Sequence, residues 1–314
     1  MCSHFSGMIK LIKLRLRVMV QSSEKMYGYR PSFGRRLSRA FCRFIIYLFR
    51  LNGQSIISNE FMQMLDPKFK TEFDGHNLEF RTGNGRLFWR AKGFLDEEPL
   101  IIAWIKSMTS DDVVLDIGAN VGIYSIPMAK KSKIVYACEL DPLNVAILKE
   151  NMYLNSLTDS IVVLPFASGD SSKIVSVRFR DLSYGDALQT IEGGDFLDSR
   201  LGPKTHSANV VQFSLDDLFI LLNLVRPNKI KIDVDGNEAA VLFGSKNLIS
   251  NATEVYFETS FTESCNDMVQ FLIDSGFHET DRSEMYSNND KSRIACVNLL
   301  FKKSCTTDRY LARK

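Results

Sequence analysis

The chain has 314 residues, 45% hydrophobic and 24% charged, with 39 Lys and Arg against 37 Asp and Glu, enough for one large core and an appendage. That balance excludes a low-complexity or disordered protein, and the apolar run at 41–49, broken by Arg43, is too short for the ~20 residues a bilayer span needs. Six dispersed cysteines without CxxC spacing and four scattered histidines exclude a disulfide scaffold and a metal cluster, and point to a reducing, cytoplasmic setting.

Residues 1–50 carry 11 Lys and Arg and a single acid, Glu24, whereas beyond them 28 basic residues stand against 36 acidic ones. Residues 1–75 therefore read as a basic N-terminal extension, helical in part or disordered, ahead of a main domain at 76–314. Its stretches IKLIKLRLRVMV and RRLSRAFCRFIIYLFRL either pack on that domain or lie on an anionic membrane surface as a peripheral contact. No apolar core followed by a small-residue cleavage site marks a signal peptide. A nucleic-acid partner is not expected, because no aromatics interleave the basic run on a folded face.

From Leu78 the texture changes. LEF and RLFW flank TGNG, whose Asn84-Gly85 pair suits a tight hairpin turn, and EEPLIIAWIKSM (97–108) reads as a helix. Strand and helix then alternate: VVLDI (113–117), a glycine loop and helix to Lys131, KIVYACEL (133–140), a helix at 142–155 with Pro142 in its first turn, and IVVLPF (161–166). VSVRFR (175–180) and NVVQF (209–213) alternate apolar with polar residues as a half-exposed hairpin does, around a Gly- and Asp-rich loop at 181–208. KIKIDV (229–234), a helical stretch near 237–250, TEVYFE (253–258), a helix at 264–275 and RIACVNLLFK (293–302) complete the chain. Strands spaced by helices predict an α/β fold on a parallel sheet with right-handed crossovers.

In such a sheet the ligand crevice lies at the carboxyl ends of the strands, and the first strand-loop-helix unit, DIGANVG, lays its floor with Gly118 and Gly122. A dinucleotide is disfavoured by the GxxxG spacing and by Asp116, whose charge repels a pyrophosphate. A cofactor with an ammonium, a sulfonium and no phosphate fits better, and that is S-adenosylmethionine. Asp116 can serve the ammonium directly or through water. Glu139, ending the second strand of the alternation, can accept both ribose hydroxyls.

DIGANVGIYS, CELDPLN, LKENMYLN, SLDDL and KIDVDGNEAAVLFG together resemble the FkbM family of S-adenosylmethionine-dependent methyltransferases, from about Glu98 to Leu300. The resemblance implies a class I methyltransferase (Rossmann-like) domain with a seven-stranded, mostly parallel sheet and helices on both faces. It also implies O-methylation of a sugar, glycan or polyketide-like acceptor. By position it places Asp116, Gly118, Asn120, Gly122 and Glu139 in the cofactor pocket, with Ala167 and Ser168 facing the adenine. Two departures stand out: Asp235 where the family more often has Glu, and Pro127 within the first helix, which it should bend or shorten. Residues 1–75 fall outside the resemblance.

Methyl transfer to a hydroxyl leaves the protein two tasks, positioning and removal of the acceptor proton. KIDVDGNE offers Lys231, Asp233, Asp235 and Glu238, of which Asp233 lies nearest the crevice, with Glu258 its neighbour across the sheet. Asp233, Glu258 and Lys231 are the candidate catalytic residues. The two carboxylates can share a proton, hold a divalent ion or orient substrate, and no metal ligand set is assigned. His206 is an alternative base. A methyltransferase-like module without catalysis and an NAD-dependent oxidoreductase remain as rival readings.

Overall fold

The computed structural model describes residues 66–187, 189–191, 206–259, 263–286 and 294–303, with positions 40, 41, 43, 44 and 47. The chain divides into two compact units, Met1–Asp66 and Pro67–Lys314. The described positions from 40 to 47 are helical, while IKLIKLRLRVMV and most of RRLSRAFCRFIIYLFRL lie outside the described residues. Among the described residues, no helix is long and apolar enough to cross a membrane.

The second unit opens on an antiparallel hairpin of β1 (Lys68–Phe73) and β2 (His76–Arg81). Its turn is Asp74-Gly75, with φ of 49° and 80°, and not the expected Asn84-Gly85. Asn84, at φ −142°, instead caps α1 (Gly85–Glu97), its side-chain oxygen accepting the Leu87 N–H at 2.9 Å. Both dipeptides suit a two-residue turn, and packing decides between them: Leu87, Ala91 and Phe94 form one buried helical face, with the Phe94 ring 5.7 Å from Phe80. Replacing Asn84 by Ala is predicted to lower stability by about 1 kcal/mol, seen as an earlier urea midpoint. An unchanged midpoint would show the cap to be idle.

After α2 (Pro99–Lys106) comes the alternation read from the sequence: β3 (Val113–Ile117), α3 (Ser125–Lys131), β4 (Ile134–Cys138), α4 (Pro142–Leu154) and β5 (Ile161–Leu164). Pro127 is the third residue of α3, near the start of a helix of only 7 residues, so the proline goes with a short helix and interrupts no long one. Every residue of β3 is buried, as a central strand covered on both faces requires.

Four strands form a second sheet: β6 (Ala167–Ser168), β7 (Lys173–Phe179), β8 (Thr190–Ile191) and β9 (His206–Phe213), in the order β6-β9-β7-β8. The expected hairpin is its antiparallel β7–β9 pair, with Val175, Val177 and Phe179 buried in alternation.

The chain then returns to the main sheet through α5 (Leu215–Leu221), β10 (Lys229–Ile232), α6 (Glu238–Phe243), α7 (Lys246–Asn251), β11 (Glu254–Thr259), α8 (Glu263–Asp274), β12 (Phe277–Tyr286) and β13 (Ile294–Lys303). The seven strands run β12-β13-β11-β10-β3-β4-β5. Neighbours from β11 to β5 are parallel, and β13 is antiparallel to both β11 and β12. One face packs against α1, α2 and α3 through Trp104, Ile105 and Ile126, the other against α5 to α8 through Leu218, Val241 and Met268. Strand order reverses between β3 and β10, so the crevice opens above those two.

Candidate active site

The glycine loop leaves β3 by passing under the chain that leaves β10. Gly118 has φ 82°, and a Cβ there would stand 1.8 Å from the Asp233 carbonyl oxygen, so glycine is required both by conformation and by the approach of the two strands. Gly122, at φ 81°, packs against the Leu148 side chain, whose Cδ1 would stand 2.3 Å from a Cβ there. Asn120, at φ 50°, gives its backbone N–H to Glu139 Oε2 at 2.8 Å, and the Asp141 N–H binds Glu139 Oε1 at 2.8 Å. Gly118, Asn120, Glu139 and Ser168 line the crevice, with Asp233 at one edge. Asp116, Gly122 and Ala167 stand behind that wall.

Asp116 has a partner within the chain. Its cross-strand neighbour is Lys231, whose Nζ lies 3.2 Å from Oδ1, and Ser125 donates to Oδ2 at 2.5 Å. Lys231 Nζ also donates to Asp233 Oδ2 at 3.0 Å. Burial by itself pushes the lysine down, but the Asp116 and Asp233 carboxylates outweigh it and hold the ammonium above its ordinary range. Lys231 is thus a buried, fixed cation.

Besides Asp116, three carboxylates interact with that cation: Asp233, Glu258 at the end of β11, and Glu98, which sequence reasoning did not single out. Burial raises Glu258 well above its ordinary range, and the charges of Asp233 and Glu98 add to the rise. Glu98 is raised by burial and by Asp233, while a hydrogen bond from Tyr124 Oη at 2.8 Å opposes the shift. Among the described residues no three His, Cys, Asp or Glu side chains are arranged to hold a metal ion. His206 opens β9 opposite Phe179, exposed and off the crevice wall.

Sequence reasoning also missed a third wall. Arg90 of α1, Phe166 and Gln189 line the crevice. The segment carrying Gln189 is anchored by Asp186, whose fully buried carboxylate pairs with Arg86 at 2.9 Å and with Arg180. The Asp186 carbonyl accepts from Asn120 Nδ2 at 2.8 Å and Asn144 Nδ2 at 3.0 Å, tying this segment to the glycine loop. These two contacts link residues 66 and 42 positions apart, and no local pattern announces them.

The Methyltransferase FkbM domain model matches residues 116–279, more than half of the chain, from the acid of the glycine loop into β12. This chain belongs to the FkbM methyltransferase family. It is 22% identical over 204 residues to the hexuronic acid methyltransferase AglP of Haloferax volcanii, covering 65% of this chain and 79% of that protein. A shorter stretch of 69 residues is 38% identical to the tRNA (guanine(37)-N(1))-methyltransferase Trm5b of Pyrococcus abyssi, spanning 22% of this chain and one fifth of that enzyme. A solved FkbM methyltransferase from Methylobacillus flagellatus superposes with a TM-score of 0.40 and 15% identity, covering 61% of this chain and 44% of that one.

As an FkbM methyltransferase the chain uses S-adenosylmethionine, and the crevice suits that cofactor. Its wall carries the Glu139 carboxylate and the polar side chain of buried Ser168, whose hydroxyl neighbours the Cys138 thiol.

Proposed function

We propose that this FkbM methyltransferase O-methylates a hydroxyl of a sugar-like acceptor, with Asp233 as the residue that takes the acceptor proton. The reading rests on Asp233, which borders the cofactor crevice on one side and faces Glu258 and Glu98 on the other. The cofactor supplies an electrophilic methyl group and its own leaving group. Asp233 accepts the hydroxyl proton, and Glu258, raised by burial and by its neighbours, shares it. Lys231 fixes the Asp233 carboxylate at 3.0 Å and acts through it. The likeness to AglP, a hexuronic acid methyltransferase, supports a carbohydrate acceptor.

Incubation with methyl-labelled cofactor and a panel of glycosides tests the reading. Label recovered as a methyl ether is expected, and label found only on nitrogen would overturn it.

The proposed ribose contact of Glu139 makes cofactor affinity depend on pH. Burial pushes this carboxyl up to about 7, against the opposing N–H groups of Asp141 and Asn120. Two donor hydroxyls need the ionised form, so the acid must release its proton before it binds them. Affinity is therefore predicted to fall by up to about tenfold per pH unit below 7 and to level off above it. Calorimetry across pH 5.5–8.5 would show this slope in wild type and a flat profile in Glu139→Gln.

A further inference from the structure

Beside the three carboxylates the sheet buries two polar side chains with nothing to bind. Tyr256 and Asn298 are 0% and 1% exposed, and the Tyr256 hydroxyl and both Asn298 amide atoms lack a hydrogen-bond partner among the described residues. An orphaned buried polar group destabilises the fold that holds it and so points to a ligand or water. Asn298 is the direct cross-strand partner of Glu258, so the two side chains share one face of the sheet. Tyr256 lies two residues before Glu258 on that same face, and its ring is stacked on Trp104 with centroids 5.5 Å apart. Glu98, Asp233 and Glu258 all act on its hydroxyl electrostatically.

We infer that Tyr256, Asn298 and Glu98 complete an acceptor subsite, selective for an uncharged ring with vicinal hydroxyls over the corresponding uronate. The inference rests on the O-methylation proposed above and specifies its acceptor. Tyr256 and Asn298 each offer both donor and acceptor capacity, and the carboxylates offer acceptors, which together match hydroxyls that donate and accept in turn. A ring carboxylate would meet three acids whose nearest cation, Lys231, is already shared between Asp116 and Asp233. The relative AglP is named for hexuronic acid, so the two chains are predicted to differ in acceptor charge.

The test compares methyl transfer by the full chain to neutral methyl hexopyranosides and to the matching hexuronides at pH 7.5, with wild type, Tyr256→Phe and Glu98→Gln. Wild type is expected to favour the neutral series by at least about tenfold in kcat/KM. Tyr256→Phe keeps the ring on Trp104 and removes an orphaned hydroxyl, so its melting temperature should equal or exceed that of wild type while acceptor KM rises about tenfold. Cofactor affinity should not move. A purely structural hydroxyl would leave KM unchanged, and that result would overturn the assignment. Glu98→Gln, with one charge fewer, should narrow the preference against uronates. Uronates used as well as neutral rings would refute the inference and leave O-methylation standing, whereas transfer to no hydroxyl of either series would end both.

Discussion

Lys231→Met is expected to destabilise the protein by about 3–5 kcal/mol, because it leaves the buried Asp116 carboxylate with only Ser125 and strips Asp233 of its counter-charge. Removing both members of the pair should cost less than removing one. In Asp116→Leu/Lys231→Met no uncompensated charge remains beneath the loop, and the double variant should recover at least half of the loss. Urea unfolding of both variants would give the comparison. Equal or additive losses would mean that the lysine is held by packing and not by the acids.

Gly118→Ala is expected to lower affinity for S-adenosylmethionine by about 100-fold or more, equivalent to ~2.8 kcal/mol. A side chain at φ 82° is strained by roughly 1–2 kcal/mol, and its Cβ would occupy the place of the Asp233 carbonyl oxygen, 1.8 Å away. The collision is with backbone, so it can be relieved only by moving the glycine loop or the end of β10, and both border the crevice. Calorimetry on folded variant, checked by circular dichroism, would read the effect. Near-wild-type affinity would show that the cofactor does not depend on this approach.

Much of this architecture is legible in the sequence because short, β-branched and largely apolar runs such as VVLDI, bounded by turn residues, suit buried central strands, and the glycines at 118 and 122 mark the loop above them. Strand β12 escapes such reading. FHETDRSEMY is charged along its length, as suits a sheet edge that must not recruit another strand, and it shows no apolar signal. The helical stretch expected near 237–250 is two helices broken at Gly244-Ser245, where Gly244 comes so close to Gly169 that a Cβ would lie 2.0 Å from its carbonyl oxygen. At the site, the acids on strand ends are readable by position, since β10 and β11 place Asp233 and Glu258 at adjacent carboxyl ends. Glu98 and the orphaned pair Tyr256 and Asn298 are not, because only tertiary packing brings the start of α2 and the reversed strand β13 to the same place. Lys231 is visible as one of two lysines in KIKI, but its role is not. Period-two alternation puts Lys229 and Lys231 on one face, where Lys229 meets Glu254 at 2.8 Å and Lys231 meets the acids of the crevice.

Single-turnover methyl transfer by Asp233→Asn, with acceptor saturating and cofactor affinity measured on the same sample, tests the proposed chemistry most directly. The amide keeps the size of the carboxylate and can still accept from Lys231, but it cannot take a proton from the hydroxyl. Cofactor affinity is predicted to stay within a few fold while the rate falls by about 10²–10⁴ and recovers in part as pH rises and the acceptor ionises unaided. Transfer at the wild-type rate would contradict the assignment of Asp233 as the base.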